Sequence, residues 1–184
     1  MSFRTENHTH VPVYRVTRAG WADPLDATFS QKRDTNRWNT AEFPALYCCC
    51  SIVVARAVTR DLYVDAAIDL EDLQPAARPT LSEIEWRGKV VDVASSEGLQ
   101  AAGLPRSNPA ELEVRLTQPL AAVWHSARVE GVLCRSASLA RLGFVDFSGD
   151  HQRWGELAIF VANSAPPSLA SRLAGQDWLL PGAR

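Results

Sequence analysis

Long apolar stretches are missing from this sequence of 184 residues. Its longest largely apolar run, residues 45–55, is far shorter than the roughly 20 residues that a helix needs to cross a bilayer. The first ten residues contain no apolar core of the kind that a signal peptide requires. We therefore expect no membrane association and a cytoplasmic location.

An excess of charge of either sign is also missing. The chain has 19 basic and 21 acidic residues, which gives a net charge of -2. Proteins that bind nucleic-acid backbones or anionic membranes need a strongly basic surface, because the attraction is electrostatic. We expect no direct contact with nucleic acid, although local clusters of charge can still bind small anions.

Cysteines are few, and they lack the spacing of a metal site. Three of the four are consecutive, at positions 48–50. Neighbours on an extended strand point to opposite faces, so these three are poor disulfide partners for one another. No second pair stands at metal-ligand spacing. The sequence predicts reduced thiols and no bound metal.

Motifs rich in glycine are missing as well. There is no Gly-x-Gly-x-x-Gly after a strand and no phosphate-binding Gly-x-x-x-x-Gly-Lys. Ser136, His125 and Asp146 are the residue types of a hydrolase triad, but no Gly-x-Ser-x-Gly turn surrounds Ser136, which disfavours that alternative. Any dinucleotide must therefore be held by side chains.

The residues that are present favour one α+β domain. A content of 46% hydrophobic and 22% charged residues is ordinary for a chain with one core. Strand and helix patterns mix without regular βαβ alternation. We predict an N-terminal extension over residues 1–12, the domain over 13–165, and a tail over 166–184 with a short helix and an irregular end. The patterns predict strands near residues 13–17, 45–50, 81–86, 90–93, 132–134 and 157–161, and helices after Ser51, over 96–102 and over 120–127.

Two arginines and a tyrosine are the candidate ligand-binding residues. Arg37 and Trp38 lie in a polar, aromatic loop, and a guanidinium there can bind a planar or phosphorylated ligand through paired hydrogen bonds. The alternative is a structural arginine stacked on Trp38. Arg15 either binds a ligand or occupies the wet face of an edge strand. Tyr47 is either a core residue or a ligand platform.

Three segments in this order resemble the RES domain, and the resemblance runs from about residue 13 to residue 160. It implies a fold similar to ADP-ribosyltransferases, with mixed sheets and flanking helices. The segments are Val13-Tyr14-Arg15-Val16, then Asn36-Arg37-Trp38-Asn39 leading into Phe43-Pro44-Ala45-Leu46-Tyr47, and then Glu130-Gly131-Val132-Leu133-Cys134-Arg135-Ser136-Ala137.

The resemblance also implies a substrate, which is NAD. RES proteins are bacterial toxins that cleave the nicotinamide–ribose bond by phosphorolysis, by hydrolysis or by transfer of ADP-ribose, and a cognate antitoxin silences them. We expect that antitoxin to be a helix-turn-helix protein. The resemblance implies that Arg15 and Arg37 bind phosphates, that Tyr47 lies beside the nicotinamide with Trp38 in the same pocket, and that Ser136 contacts the ribose or the amide.

One position departs from the family pattern. The family has a glutamate on the helix after the tyrosine strand, eleven residues beyond the tyrosine, and Val58 stands there in this chain. Asp61 lies three residues further on, at a spacing that puts it on roughly the same helix face, and is the candidate catalytic replacement. The alternative is a catalytically degenerate domain that binds NAD or another protein.

Overall fold

Eight strands pair into one sheet in a computed structural model, which describes residues 3–9, 11–33, 35–63, 72–107, 114–144, 150–173 and 177–179. The strands are β1 (Thr5–His8), β2 (Val13–Arg18), β3 (Leu46–Cys49), β4 (Pro79–Glu85), β5 (Gly88–Val93), β6 (Gly131–Arg135), β7 (Gly155–Ile159) and β8 (Ser168–Leu173). The helices are α1 (Ile52–Tyr63), α2 (Ser96–Ala102), α3 (Val114–Ser126), α4 (Ala137–Arg141) and α5 (His151–Trp154). The fold is therefore α+β, as the mixed sequence patterns predict.

The spatial order of the strands is β1-β5-β6-β7-β3-β2-β4-β8. Strands β5 and β6 run parallel, and the other pairings in the described part of the chain are antiparallel. Strands β2 and β4 share six registered pairs, whereas β2 meets β3 at the single pair Tyr14–Cys49. This single pair therefore joins the part of the sheet from β1 to β3 to the part formed by β2, β4 and β8.

The two faces of the sheet are covered differently. We call the face that carries Tyr47, Cys49, Cys134 and Glu156 the helix face, because buried residues of α1 to α4 pack there. The opposite face, which carries Cys48, packs against residues of the loop after β2. We call it the loop face. Because side chains alternate along a strand, each position in β3 or β7 belongs to one face only.

Local sequence explains where two helices begin and end. The hydroxyl of Ser51 accepts a hydrogen bond from the Val54 N–H at 3.4 Å, at the predicted start of α1. Ser95 caps α2 by accepting from Gly98, and Gly103 ends α2 with a φ of 70°, a backbone conformation that favours glycine. The sequence-based limits of α2 are confirmed.

Helix α3 and the tail differ from the sequence-based expectation. Helix α3 begins at Val114, six residues before the predicted start, and contains Pro119. An interior proline removes one helical hydrogen bond, and α3 continues through Pro119 nevertheless. The tail contains a short 3-10 helix at Asp177–Leu179, and it also contains a strand that the sequence patterns do not predict, because Ser168–Leu173 forms β8 against β4. Its residues are mostly exposed, so pairing with β4 and not apolar periodicity creates this edge strand. None of the helices in the described part of the chain is both long and apolar enough to cross a membrane.

Candidate functional site

Arg37 forms a largely buried ion pair on the helix face. Its Nη2 donates a hydrogen bond to Oε2 of Glu156 at 2.7 Å, and the two side chains are only 14% and 15% exposed. Nη1 also reaches the carbonyl of Arg135 at 3.4 Å. Burial alone would lower the pKa of Arg37, but neighbouring Cys134, Glu156 and Tyr47 together raise it above its usual value. Arg37 is therefore a cation with a fixed counter-charge.

Glu156 links that arginine to the start of α4. Its Oε1 accepts a hydrogen bond from the Ala137 N–H at 3.1 Å. Directly before Ala137, Ser136 caps α4 by accepting from the Leu139 N–H at 3.2 Å, and Ser136 is fully buried. The Glu156 carboxylate thus links Arg37 to the amide of the residue that follows Ser136.

Tyr47 shapes the loop that carries Arg37. Its hydroxyl accepts a hydrogen bond from the Trp38 N–H at 2.9 Å and donates one to Oδ1 of Asn39 at 2.9 Å. Burial raises the pKa of Tyr47 well above its usual value, so the hydroxyl stays protonated and can donate. Because both bonds are internal, the part of Tyr47 that remains for a ligand is the ring of a half-buried side chain.

Trp38 is fully buried beside this network. Its ring stacks on Trp124 with centroids 5.7 Å apart, and its Nε1 donates to the sulfur of Cys134 at 3.1 Å. Burial raises the pKa of Cys134 to about 11, so this thiol is neutral at physiological pH. Trp38 anchors the loop from within the core, and its expected contact with a ligand stays a prediction.

Asp61 links α1 to α4 through side-chain hydrogen bonds. Its carboxylate accepts hydrogen bonds from two guanidinium nitrogens of Arg141, one of them at 2.7 Å, and from the Ser138 hydroxyl at 3.0 Å. The hydrogen bonds from Arg141 lower the pKa of Asp61. Val58, one helical turn earlier, is half-buried against the apolar cluster that contains Cys49.

Arg15 lies apart from these residues. Tyr14 pairs with Cys49, so Arg15, the next residue on β2, points to the loop face with Cys48. One of its nitrogens donates to the Asp26 carbonyl at 2.9 Å, while Nη1 is buried with no hydrogen-bond partner among the described residues. Burial lowers the pKa of Arg15. The structure therefore does not bring Arg15 and Arg37 together.

Sequence reasoning missed Glu156, which is the centre of the network. It started the late strand at Leu157, whereas β7 begins at Gly155. The available signal was a single charged residue at the head of an otherwise apolar strand, a pattern typical of a side chain with a specific partner. Of the residues of the hydrolase alternative, His125 stacks on Phe43 with centroids 4.1 Å apart, and Asp146 lies outside the described residues.

One group could offer three ligand atoms to a metal. Within the described ranges, atoms of Glu6, Asp92 and His151 lie within 4.8 Å of one another. Asp92 already accepts hydrogen bonds from the Ala94 and Ser95 amides at 2.9 Å, and His151 contacts Glu6 at 3.1 Å. The first two hydrogen bonds shape the turn after β5, and the contact between His151 and Glu6 links α5 to β1.

Comparisons with known proteins point to one family. The model of the RES domain matches residues 12–181. Among solved structures, the chain is similar to a chain in the crystal structure of the M. tuberculosis MbcT-MbcA toxin-antitoxin complex, with a TM-score of 0.68 and 19% identity over 94% of this chain and 85% of that one. The chain matches none of the curated proteins with which it was compared.

Proposed function

The chain belongs to the RES domain family, and we propose that it is a toxin that consumes NAD by cleaving the bond between nicotinamide and ribose. The observation that carries the proposal is the Arg37–Glu156 pair on the helix face, beside Tyr47 and the start of α4. It brings a cation, a carboxylate and an aromatic ring from distant parts of the chain into one place. A dinucleotide offers a partner to each of them.

Each group suits one part of NAD. The guanidinium of Arg37 can bind the diphosphate by charge-assisted hydrogen bonds. The ring of Tyr47 can lie against the flat nicotinamide. Contacts of Trp38 and Ser136 with the ligand stay predictions, because both residues are fully buried. Arg15 points to the loop face, so its contact with phosphate also stays a prediction.

Cleavage moves charge from the base to the sugar. When the bond between C1′ and the ring nitrogen breaks, its electron pair goes to that nitrogen, and nicotinamide leaves as a neutral molecule. Positive charge then develops on the ribose, where a carboxylate stabilises it. The acceptor that completes the reaction is inorganic phosphate, water or a protein side chain, and nothing in the described residues selects among them.

Nicotinamide release tests the proposal directly. The purified protein is incubated with NAD, with and without inorganic phosphate, and nicotinamide and the ribosyl product are identified by mass spectrometry. We expect release, and we expect Arg37→Lys to reduce it because a single ammonium cannot reproduce two parallel hydrogen bonds. Arg153→Lys on α5 is the matched control, since Arg153 is exposed. No release by the wild-type protein over hours would contradict the proposal.

A degenerate NAD-binding domain is the second candidate. Position 58 carries no carboxylate, and Arg37 is already neutralised by Glu156. This candidate predicts binding without turnover. Calorimetry that detects NAD binding, together with no nicotinamide release, would favour it.

We also propose that a cognate antitoxin inhibits the protein by covering the helix face near Arg37. The support is that the similar solved structure is a toxin-antitoxin complex. Co-expression with the product of the neighbouring reading frame, expected to be a helix-turn-helix protein, should restore growth. Hydrogen exchange on the complex should show protection around Arg37 and α4. Protection confined to the loop face would reject this mode of inhibition.

A further inference from the structure

We propose that Glu156 is the catalytic carboxylate, and that it acts by exchanging partners with Arg37 when NAD binds. This inference rests on the proposed function. In the free protein Arg37 and Glu156 neutralise each other. In the complex the diphosphate takes over Arg37, and the Glu156 carboxylate faces the ribose on which positive charge develops.

The position of Glu156 fits this role. It lies on β7, in the middle of the sheet, with Cys49 and Cys134 as its paired neighbours on the helix face. Burial raises the pKa of Cys49 and of Cys134, so both thiols are neutral. Of these three neighbours, Glu156 is the one that pairs with Arg37, and 15% of its side chain remains exposed.

Hydrogen-bonding capacity distinguishes Glu156 from Asp61. An ionised carboxylate offers about four acceptor positions. Asp61 accepts three hydrogen bonds, two from Arg141 and one from Ser138. From the described residues Glu156 accepts two, from Arg37 and from the Ala137 amide, and the first of these is the one that phosphate would displace. Within this part of the chain Glu156 thus has more capacity for a ribose hydroxyl.

The partner exchange also balances charge at each stage. A buried carboxylate without a counter-charge is costly, so Arg37 stabilises Glu156 before the substrate arrives. Once the diphosphate engages Arg37, the nicotinamide ribose supplies the next positive charge. The C1′–N bond breaks with its electron pair on nicotinamide, and C1′ then bonds to an oxygen of water or phosphate. Glu156 forms no covalent bond, and the proton of an attacking water leaves to solvent.

The first test is Glu156→Gln, with Glu83→Gln as the matched control. Glu83 lies on β4 of the same sheet and accepts a hydrogen bond from Ser171. We expect Glu156→Gln to lower kcat for nicotinamide release by about 10²-fold or more, the usual effect of losing one such electrostatic contact. The dissociation constant for NAD should stay the same or fall, because Arg37 has lost its competitor. Glu83→Gln should release nicotinamide at the wild-type rate.

A merely structural Glu156 gives a different pattern. Glu156→Gln would then weaken NAD binding in proportion to a lowered melting temperature, with kcat little changed. Should Glu156→Gln not fold, Glu156→Asp keeps the charge, and its kcat should fall with NAD affinity retained. Wild-type kcat in either folded variant would overturn the proposal.

A ligand that resembles the charged sugar gives a readout without turnover. We would compare an ADP-linked iminoribitol, which is cationic, with its neutral carbocyclic counterpart by calorimetry. The wild-type protein should prefer the cationic ligand at least tenfold, and Glu156→Gln should lose that preference. Equal preference in both proteins would overturn the role of Glu156. A wild-type protein that releases no nicotinamide yet prefers the cation would contradict the proposed turnover and leave the role of Glu156 supported.

Discussion

Arg15 and Arg37 are both buried arginines, but they lie on opposite faces of the sheet and in opposite electrostatic surroundings. Arg37 faces a carboxylate at 2.7 Å, and its pKa is raised. Arg15 donates to a carbonyl, keeps one nitrogen without a partner among the described residues, and has its pKa lowered by burial. Two residues of the same type are therefore stabilised in different ways.

Burial alone therefore does not define the role of an arginine. A paired cation is part of a network that fails when one member is removed. An incompletely paired cation contributes less to stability, because the free-energy cost of its own desolvation offsets the gain from the hydrogen bonds that it makes. Substitutions with methionine, which keeps the bulk and removes the charge, separate the two cases.

Arg37→Met should have the largest effect on stability. It leaves Glu156 buried without a counter-charge, which typically costs about 3–5 kcal/mol. Urea unfolding of wild type and variant measures the loss. The double variant Arg37→Met/Glu156→Met should recover most of it, and a double variant as unstable as the single one would show that the pair is not the cause.

Arg15→Met should cost less, about 1–2 kcal/mol, because one charge-assisted hydrogen bond is lost while a desolvated charge is removed. The same urea measurement applies. A loss of unfolding free energy as large as that of Arg37→Met would contradict this difference between the two arginines, since it would mean that Arg15 has a strong partner in the folded chain.

Asp61→Asn tests a pair at the surface. Arg141 is 62% exposed, so removing the pair should cost roughly 0–1 kcal/mol. The pKa of Asp61 is lowered in the folded protein, so this contribution is present above about pH 4, the unfolded carboxyl value, and is lost as pH falls through the folded pKa. Thermal melts of wild type and variant between pH 2 and pH 7 should converge at the acid end, and a constant difference would contradict the ion pair.

The positive charge of His151 can be removed without a substitution, by raising the pH. Its hydrogen bond with Glu6 raises its pKa. Stability from this pair is therefore fully present below about pH 6.5, the unfolded value, and is lost as pH rises through the raised folded pKa. Relative to His151→Gln, the wild type should gain a few tenths of a kcal/mol on acidification. A gain at alkaline pH instead would reverse the assignment.

The local parts of this fold can be predicted from the sequence. The apolar stripe after Ser51 predicts α1, Gly103 predicts the end of α2, and the polar loop indicates Arg37 either as a ligand-binding residue or as a structural arginine stacked on Trp38. These signals depend on residues close in the chain. The resemblance of ordered segments supplied the family, which the match over residues 12–181 confirms.

Contacts between residues that lie far apart in the sequence cannot be predicted from local patterns. Glu156 is 119 residues from Arg37, and no local pattern links them. The orientation of Arg15 depends on the single pair Tyr14–Cys49, and a shift of one residue would turn Arg15 to the helix face. Two arginines expected to share one ligand are thereby separated by the sheet itself.

The position of β7 limits the order in which the nascent chain can pair its strands. In space β7 lies between β3 and β6, but a ribosome makes it after both. At roughly 5–20 residues per second, the 119 residues between Arg37 and Glu156 take about 6–24 s to synthesise. Until then β3 has only its one registered pair with β2 among the described strands, and Arg37 lacks the carboxylate that Glu156 supplies. The Arg37–Glu156 pair can therefore form only after most of the chain has been synthesised.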